Sequence, residues 1–107
     1  MTDCNDYCVI LTTCASKQEA EKLAGLLVEQ RLAACVQLTS ITSFYRWKEA
    51  INRDAEELLL IKARRQRYQE IEAAIVANHS YEVPEIVVLP IAQGLSKYFA
   101  WINEVTE

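Results

Sequence analysis

The alternation of apolar and polar positions divides the chain into a regular series of elements. Tyr7-Cys8-Val9-Ile10-Leu11-Thr12-Thr13 is a nearly unbroken apolar run and predicts a buried strand. Ser16-Lys17-Gln18-Glu19 follows as a capping box, in which the Ser16 and Glu19 side chains are expected to satisfy free amides at a helix start. Beyond it, Ala20, Leu23, Ala24, Leu27 and Val28 recur at helical spacing while Glu21, Lys22, Glu29 and Gln30 fall elsewhere, so this helix packs on a sheet. From Ala33 to about Glu49 the period is two, with Ile41, Ser43, Tyr45 and Trp47 alternating with Thr42, Phe44, Arg46 and Lys48. Asn52-Arg53-Asp54 offers a turn, and Glu57 to Ala63 returns as a third strand. A second helix is expected from about Arg65 to Asn78, burying Tyr68, Ile71, Ala74 and Ile75. Pro84 forbids its continuation, and the aliphatic run Ile86 to Ile91 predicts a fourth strand covered on both faces, with Pro90 placing it at a sheet edge. After Gly94, Ser96 is expected to cap a last helix whose Tyr98, Trp101, Ile102 and Val105 share one face.

The order βαββαβ plus a terminal helix predicts an α+β, ferredoxin-like sandwich spanning residues 1–107 as a single domain, with strand order 4-1-3-2. Its second strand is too long for it. Seventeen extended residues reach about 56 Å at about 3.3 Å each. A domain of this length is only about 34 Å across. The strand must bend, with Thr39-Ser40 the natural place, and its hairpin must overhang the core. Phe44, Tyr45 and Trp47 on such a hairpin would invite aggregation if bare, so they are expected at an oligomer interface; the alternative is that they cover the domain's own core.

Composition narrows the function classes. With 51% hydrophobic and 24% charged residues, two Gly and two Pro, there is little room for linkers or low-complexity tails. The formal net charge of −4 argues against general nucleic-acid binding and against an anionic membrane surface, and makes cations the natural partners. No apolar run approaches a membrane span, and Met1 to Asp6 does not resemble a signal peptide, so a cytoplasmic location is expected. Cys4, Cys8, Cys14 and Cys35 follow no zinc-finger or Cys-x-x-Cys spacing and read as thiols. Cys8 and Cys35 are simply small core residues, and Cys4 sits in a frayed terminus, whereas Cys14 stands at a strand end beside a turn.

Candidate chemistry concentrates in Asn78 to Ile91, which holds the only histidine and both prolines. The strand order brings the end of the first strand beside the start of the fourth, so Cys14 should lie near the loop bearing His79 and Glu85. Sulfur, imidazole and carboxylate are what borderline and soft divalent metals choose, so His79 and Cys14 are the candidate metal ligands. The alternative for His79 is a hydrogen-bonded loop histidine holding no metal. Lys62, Arg64, Arg65 and Arg67 gather at a helix start, where the dipole disfavours positive charge. They read either as an anion contact or as partners of nearby Glu56, Glu57 or Glu70. No phosphate loop and no nucleophile–base pair with an orienting third group is present, so no enzymatic activity is expected.

Several stretches together resemble the CutA divalent-cation-tolerance family: Arg31-Leu32-Ala33-Ala34-Cys35-Val36, Tyr45-Arg46-Trp47-Lys48, Ile61-Lys62, His79-Ser80-Tyr81-Glu82-Val83-Pro84-Glu85-Ile86, Leu89-Pro90-Ile91, Gly94, Tyr98 and Trp101. The resemblance runs from about Tyr7 to Trp101. It implies a homotrimer of ferredoxin-like protomers joined through long hairpins, similar in architecture to the PII signal proteins, with a link to copper and other divalent cations. Metal in some members is held by a strand-one cysteine and two adjacent histidines. Here the cysteine position is Thr12, with Cys14 on the same face two residues later, and the histidine pair reads Asn78-His79. The family's hairpin glycine falls at Glu49, and its threonine pair at Ala63-Arg64. The expectation is therefore a cytoplasmic, non-enzymatic trimer that binds a divalent cation, copper foremost, and contributes to metal tolerance. The alternative is a PII-like module binding a small anionic ligand in intersubunit clefts lined by Lys62, Tyr81 and Glu85, and signalling to an unidentified protein partner.

Overall fold

The structure, a computed structural model, describes residues 6–107. The expectation for Cys4 lies outside the described residues. The elements are β1 (Tyr7–Cys14), α1 (Lys17–Glu29), β2 (Cys35–Trp47), β3 (Ala50–Arg64), a short 3-10 turn (Arg65–Arg67), α2 (Tyr68–Ala77), β4 (Ile86–Pro90) and α3 (Ser96–Val105). The four strands form one antiparallel sheet in the order β2-β3-β1-β4, the order anticipated from the sequence.

Register separates the two faces of this sheet. Directly opposed residues share a face, so the pairs Cys8↔Ala63, Ile10↔Ile61, Thr12↔Leu59 and Cys14↔Glu57 all point one way. That face carries the helices. Ala20, Leu23 and Leu27 of α1 and Ile71 and Ile75 of α2 close over it, and these positions make one continuous buried core. The opposite face presents Val9, Leu11 and Thr13 of β1 with Lys62, Leu60 and Leu58 of β3 and Leu89 and Val87 of β4. Only α3 lies on it, at the Tyr7 end. There Phe99 stacks flat on Tyr7 at 4.2 Å, Ile102 is buried, Asn103 donates to the Tyr7 hydroxyl at 2.7 Å, and Lys62 sits 5.6 Å over the Tyr98 ring. Gly94 is required by this packing, because a Cβ there would meet the Phe99 ring tip at 2.5 Å.

Some local expectations are corrected. The hairpin turn is not at Asn52-Arg53-Asp54: β3 starts at Ala50, Trp47 pairs with Ala50, and the two-residue turn is Lys48-Glu49. Both turn residues have positive φ (51° and 66°), as the turn that matches strand twist demands. The hairpin is therefore longer than expected, and its last seven pairs, Ile41↔Glu56 to Trp47↔Ala50, extend beyond the end of β1. These pairs project roughly 23 Å, which gives the protomer a longest extent of 48 Å. Arg65–Arg67 is a 3-10 turn, and α2 proper starts at Tyr68. Ser96 is the first residue of α3 and its side chain makes no cap; Leu95 holds the cap position. Val28 and Trp101 are exposed, and Phe99 takes the buried place on α3 expected for Trp101. β4, expected to be covered on both faces, leaves Val87, Val88 and Leu89 exposed on an edge strand. No described helix is long and apolar enough to cross a membrane.

Candidate metal centre and the loop above it

Cys14 ends β1 on the helix-covered face and is fully buried. The chain then turns into α1, where the Ser16 hydroxyl accepts the Glu19 amide at 3.1 Å. Only this half of the expected capping box forms. The Glu19 carboxylate turns inward instead, to within 3.8 Å of His79 Nδ1, and its Oε1 is buried with no hydrogen-bond partner among the described residues. One ligand atom each from Cys14, Glu19 and His79 lie within 4.8 Å of one another. The strand order thus brings Cys14 and His79 together, while Glu85 stands exposed on the loop.

His79 is held at both ring nitrogens. The Tyr81 backbone N–H donates to Nδ1 at 3.0 Å, so Nδ1 carries no proton, and Nε2–H donates to the Thr13 carbonyl at 2.6 Å. The imidazole in this arrangement is neutral, with its side chain fully shielded from solvent. Burial pushes the Cys14 thiol up to about 12, and the negative charges of Glu19 and Glu56 push the same way. The site is therefore a neutral thiol and a neutral imidazole facing one carboxylate.

That donor set suits a divalent cation of borderline softness, which would neutralise Glu19 Oε1 and displace the thiol proton. Coordination through His79 Nδ1 requires the Tyr81 amide to move aside, because the two compete for one lone pair. A groove of about 420 Å³ lined by Ser16, Lys22, Asn78 and Ser80, among others, opens onto Glu19 and His79 from solvent. Asn78, at the family's second histidine position, spends its side chain on the Ala74 carbonyl at 2.8 Å. Thr12, at the family's cysteine position, is fully buried, and its hydroxyl has no partner among the described residues.

The remaining candidates separate. Tyr81 tilts against His79 with ring centroids 4.8 Å apart and donates its hydroxyl to Glu56 at 2.7 Å; burial, and then this bond, drives its phenol well above the usual range. Lys62 lies six residues from Glu56 on β3, about 20 Å away, and is engaged with Tyr98. Lys62, Tyr81 and Glu85 therefore do not share a cleft within one protomer. The basic cluster follows in part the second reading of the sequence, since Arg67 pairs with Glu70, and it has a further structural use that neither reading anticipated. Arg64 donates to Thr106 Oγ1 (2.8 Å) and to the Thr106 carbonyl, and Arg67 donates to the same carbonyl (3.0 Å) while pairing with Glu70 (2.8 Å). Cations disfavoured at the start of α2 are thus placed at the C-terminus of α3, where the helix dipole welcomes them.

Sequence reasoning missed Glu19 and Glu56. Glu19 was absorbed by its capping-box pattern, although the first turn of α1 directly follows Cys14. Glu56 could be placed only once the β1–β3 register was known.

With this geometry in hand, the sequence compares clearly with known proteins. Residues 8–105 match the model of the CutA1 divalent ion tolerance protein family. The chain belongs to that family. A divalent-cation tolerance protein CutA of Thermus thermophilus is 43% identical over 99 residues, covering 92% of this chain and 96% of that protein. The chloroplastic protein CutA of Arabidopsis thaliana is 38% identical over 99 residues, and there the chain spans only 54% of the relative's length. The solved structure of CutA from Synechococcus elongatus superposes with a TM-score of 0.95 at 32% identity, over 99% of this chain and 95% of that one. Family membership ties this chain to divalent-cation tolerance.

Proposed function

We propose that this CutA protein is a non-catalytic homotrimer that binds a divalent cation, copper foremost, at Cys14, Glu19 and His79, and that this binding underlies its part in metal tolerance. The observation that carries the reading is the buried, unpartnered Glu19 oxygen beside a thiol and an imidazole. A carboxylate oxygen left unpartnered in a buried site is costly unless a cation or water completes it. Thiolate plus imidazole favours copper over harder divalent ions, and the affinity order of first-row metals points the same way.

Assembly is supported by what one chain leaves bare. The sheet face opposite α1 and α2 is apolar from Leu11 and Leu60 to Val87 and Leu89 beyond the reach of α3, β4 is an open edge, and Phe44, Tyr45 and Trp47 are exposed on the hairpin. Sister subunits would cover all three, and the resemblance gives their number as three. A reducing compartment, the cytoplasm, suits the free thiols of Cys8, Cys14 and Cys35.

Titration calorimetry with Cu²⁺ and Zn²⁺ tests the site. We expect saturable binding accompanied by release of about one proton near neutral pH, seen as a heat that depends on the buffer, because the Cys14 thiol must ionise. Glu19→Gln should weaken binding and Cys14→Ala should remove the proton. Unchanged copper binding in both variants would refute the site. Heat from a nucleotide but from no metal would replace the reading with an anionic-ligand cleft.

A further inference from the structure

Tyr81 joins the metal centre to the foot of the hairpin. Its backbone N–H donates to His79 Nδ1 at 3.0 Å, its ring lies against the imidazole with centroids 4.8 Å apart, and its hydroxyl donates to Glu56 at 2.7 Å. Glu56 is buried on β3 opposite Ile41, where the projecting part of the hairpin begins. Among the described residues, Tyr81 supplies the only hydrogen bond to its carboxylate.

The imidazole is already set for a metal ion. Nε2–H is spent on the Thr13 carbonyl at 2.6 Å, which fixes the tautomer and leaves the lone pair on Nδ1, as an outer hydrogen bond commonly does for a ligating histidine. Nδ1 faces Glu19 Oε1 at 3.8 Å, and Cys14 completes a group of ligand atoms within 4.8 Å of one another. The ring cannot offer Nε2 instead without giving up the Thr13 bond. What occupies the Nδ1 lone pair is the Tyr81 amide, so amide and ion exclude one another. Peeling the amide away is resisted at the far end of the same residue. There the hydroxyl is tied to a buried carboxylate, an acceptor that holds a donor more firmly than a neutral oxygen does.

We infer that Tyr81 is a positioning residue of the metal centre that works as a latch: its amide holds the place of the ion on His79, and metal binding displaces the amide and draws the hydroxyl off Glu56. The latch rests on the reading of Cys14, Glu19 and His79 as metal ligands. It lowers metal affinity, because part of the binding free energy is spent on opening it. Reciprocally, loading the metal frees the carboxylate at the foot of the hairpin by the same free energy. Every contact lies inside one chain and none needs an open surface. The latch therefore operates with a sister subunit packed over the hairpin or without one.

The test follows hydrogen exchange of the Tyr81 amide by mass spectrometry in the unaltered, assembled protein, with and without saturating Cu²⁺. Calorimetry gives the Cu²⁺ affinities of the parent and of Tyr81→Phe. Cu²⁺ should speed exchange at Tyr81 at least about tenfold, while the amides of β1 exchange no faster. Tyr81→Phe keeps the ring and the amide and loses the tie to Glu56. With that bond missing from the closed and open states alike, Cu²⁺ should bind about fivefold more tightly. A tyrosine of merely structural use predicts the opposite, weaker binding on its loss. Cu²⁺ that binds while the Tyr81 amide stays protected, or that binds Tyr81→Phe no more tightly than the parent, overturns the latch and leaves the metal centre standing. If the parent binds no Cu²⁺, the metal centre and the latch fall together. The exchange measurement uses the unaltered chain, so it decides the matter even where the variant folds poorly.

Discussion

The two ends of β1 are built on opposite plans. At Tyr7 the chain closes on itself: Phe99 stacks on the ring, Asn103 satisfies the hydroxyl, and Arg64 and Arg67 converge on Thr106 at the end of α3. At Cys14 it stays open. A buried carboxylate oxygen has no partner among the described residues, a thiol is held far above its ordinary range by burial and then by the charge beside it, and the hairpin carries its aromatics out into solvent. Groups that one chain satisfies entirely are there for stability. Groups that it leaves incomplete point to something from outside: a metal ion, a ligand or a second subunit.

The widest break in this contrast comes from the bare side of the sheet. Leu89→Glu places a charge on the exposed face of the β4 edge, where the closed Tyr7 end gives no support. If sister chains cover that face, the variant should sediment as a monomer at micromolar concentration, while the starting protein sediments as a trimer. An unchanged trimer would move the interface elsewhere.

At the closed end, Arg64→Met keeps the aliphatic stem and removes the bonds to Thr106 Oγ1 and carbonyl. Charged hydrogen bonds of this kind contribute about 2–3 kcal/mol. The variant should melt roughly 10 °C lower. Metal binding should not change, because Arg64 lies at the other end of β1, opposite Tyr7.

This end also shows what the sequence could and could not reveal. Strand and helix periods, Ser16 and Pro84 are local signals, enough to give the sequence of main elements, and the usual order of the ferredoxin-like fold then gives the strand order. The proximity of Cys14 to His79 followed from that order. Of the basic cluster only the local pair of Arg67 with Glu70 was legible; its other partner, Thr106, lies about forty residues away and only tertiary packing brings them together. Glu19 was hidden for a different reason. A capping box and an inward ligand share one sequence pattern, and only the rotamer separates them. The hairpin turn was misplaced because Lys48 and Glu49 carry none of the glycine or asparagine signals that turns of positive φ ordinarily show.

The open end should also reveal itself in alkali. Cys14 titrates at about 12 in the folded chain against 9.0 ordinarily. Between those values the unfolded chain has lost the thiol proton and the folded one has kept it. The unfolded state therefore binds fewer protons, and stability falls as pH rises. Cys14 alone contributes a slope of up to about 1.4 kcal/mol per pH unit above pH 9. Cys8, pushed up to about 11 by burial despite the opposing charge of Arg65, adds its own share over a narrower window. Urea denaturation of Cys14→Ala across pH 9 to 11 should show a shallower loss of stability than the parent. An identical slope would mean that the thiol is not held neutral.

The smallest effect belongs to the hairpin tip, which lies beyond both ends. Glu49 adopts φ of 66°, a region that costs a residue with a Cβ about 1–2 kcal/mol and costs glycine almost nothing. Glu49→Gly should therefore raise stability by about 1 kcal/mol, the gain in φ being partly offset by the greater freedom of glycine in the unfolded chain. Trp47 and Ala50 pair directly beside the turn, so relief at Glu49 acts on the ladder that presents Tyr45 and Trp47. The substitution leaves every group at the Tyr7 end and at the metal centre in place. Copper affinity and assembly should be unchanged while the melting temperature rises by a few degrees. If the melting temperature fell instead, the side chain of Glu49 would be making a contact that offsets its backbone strain, and the tip would be a built feature of the assembly, not a tolerated one.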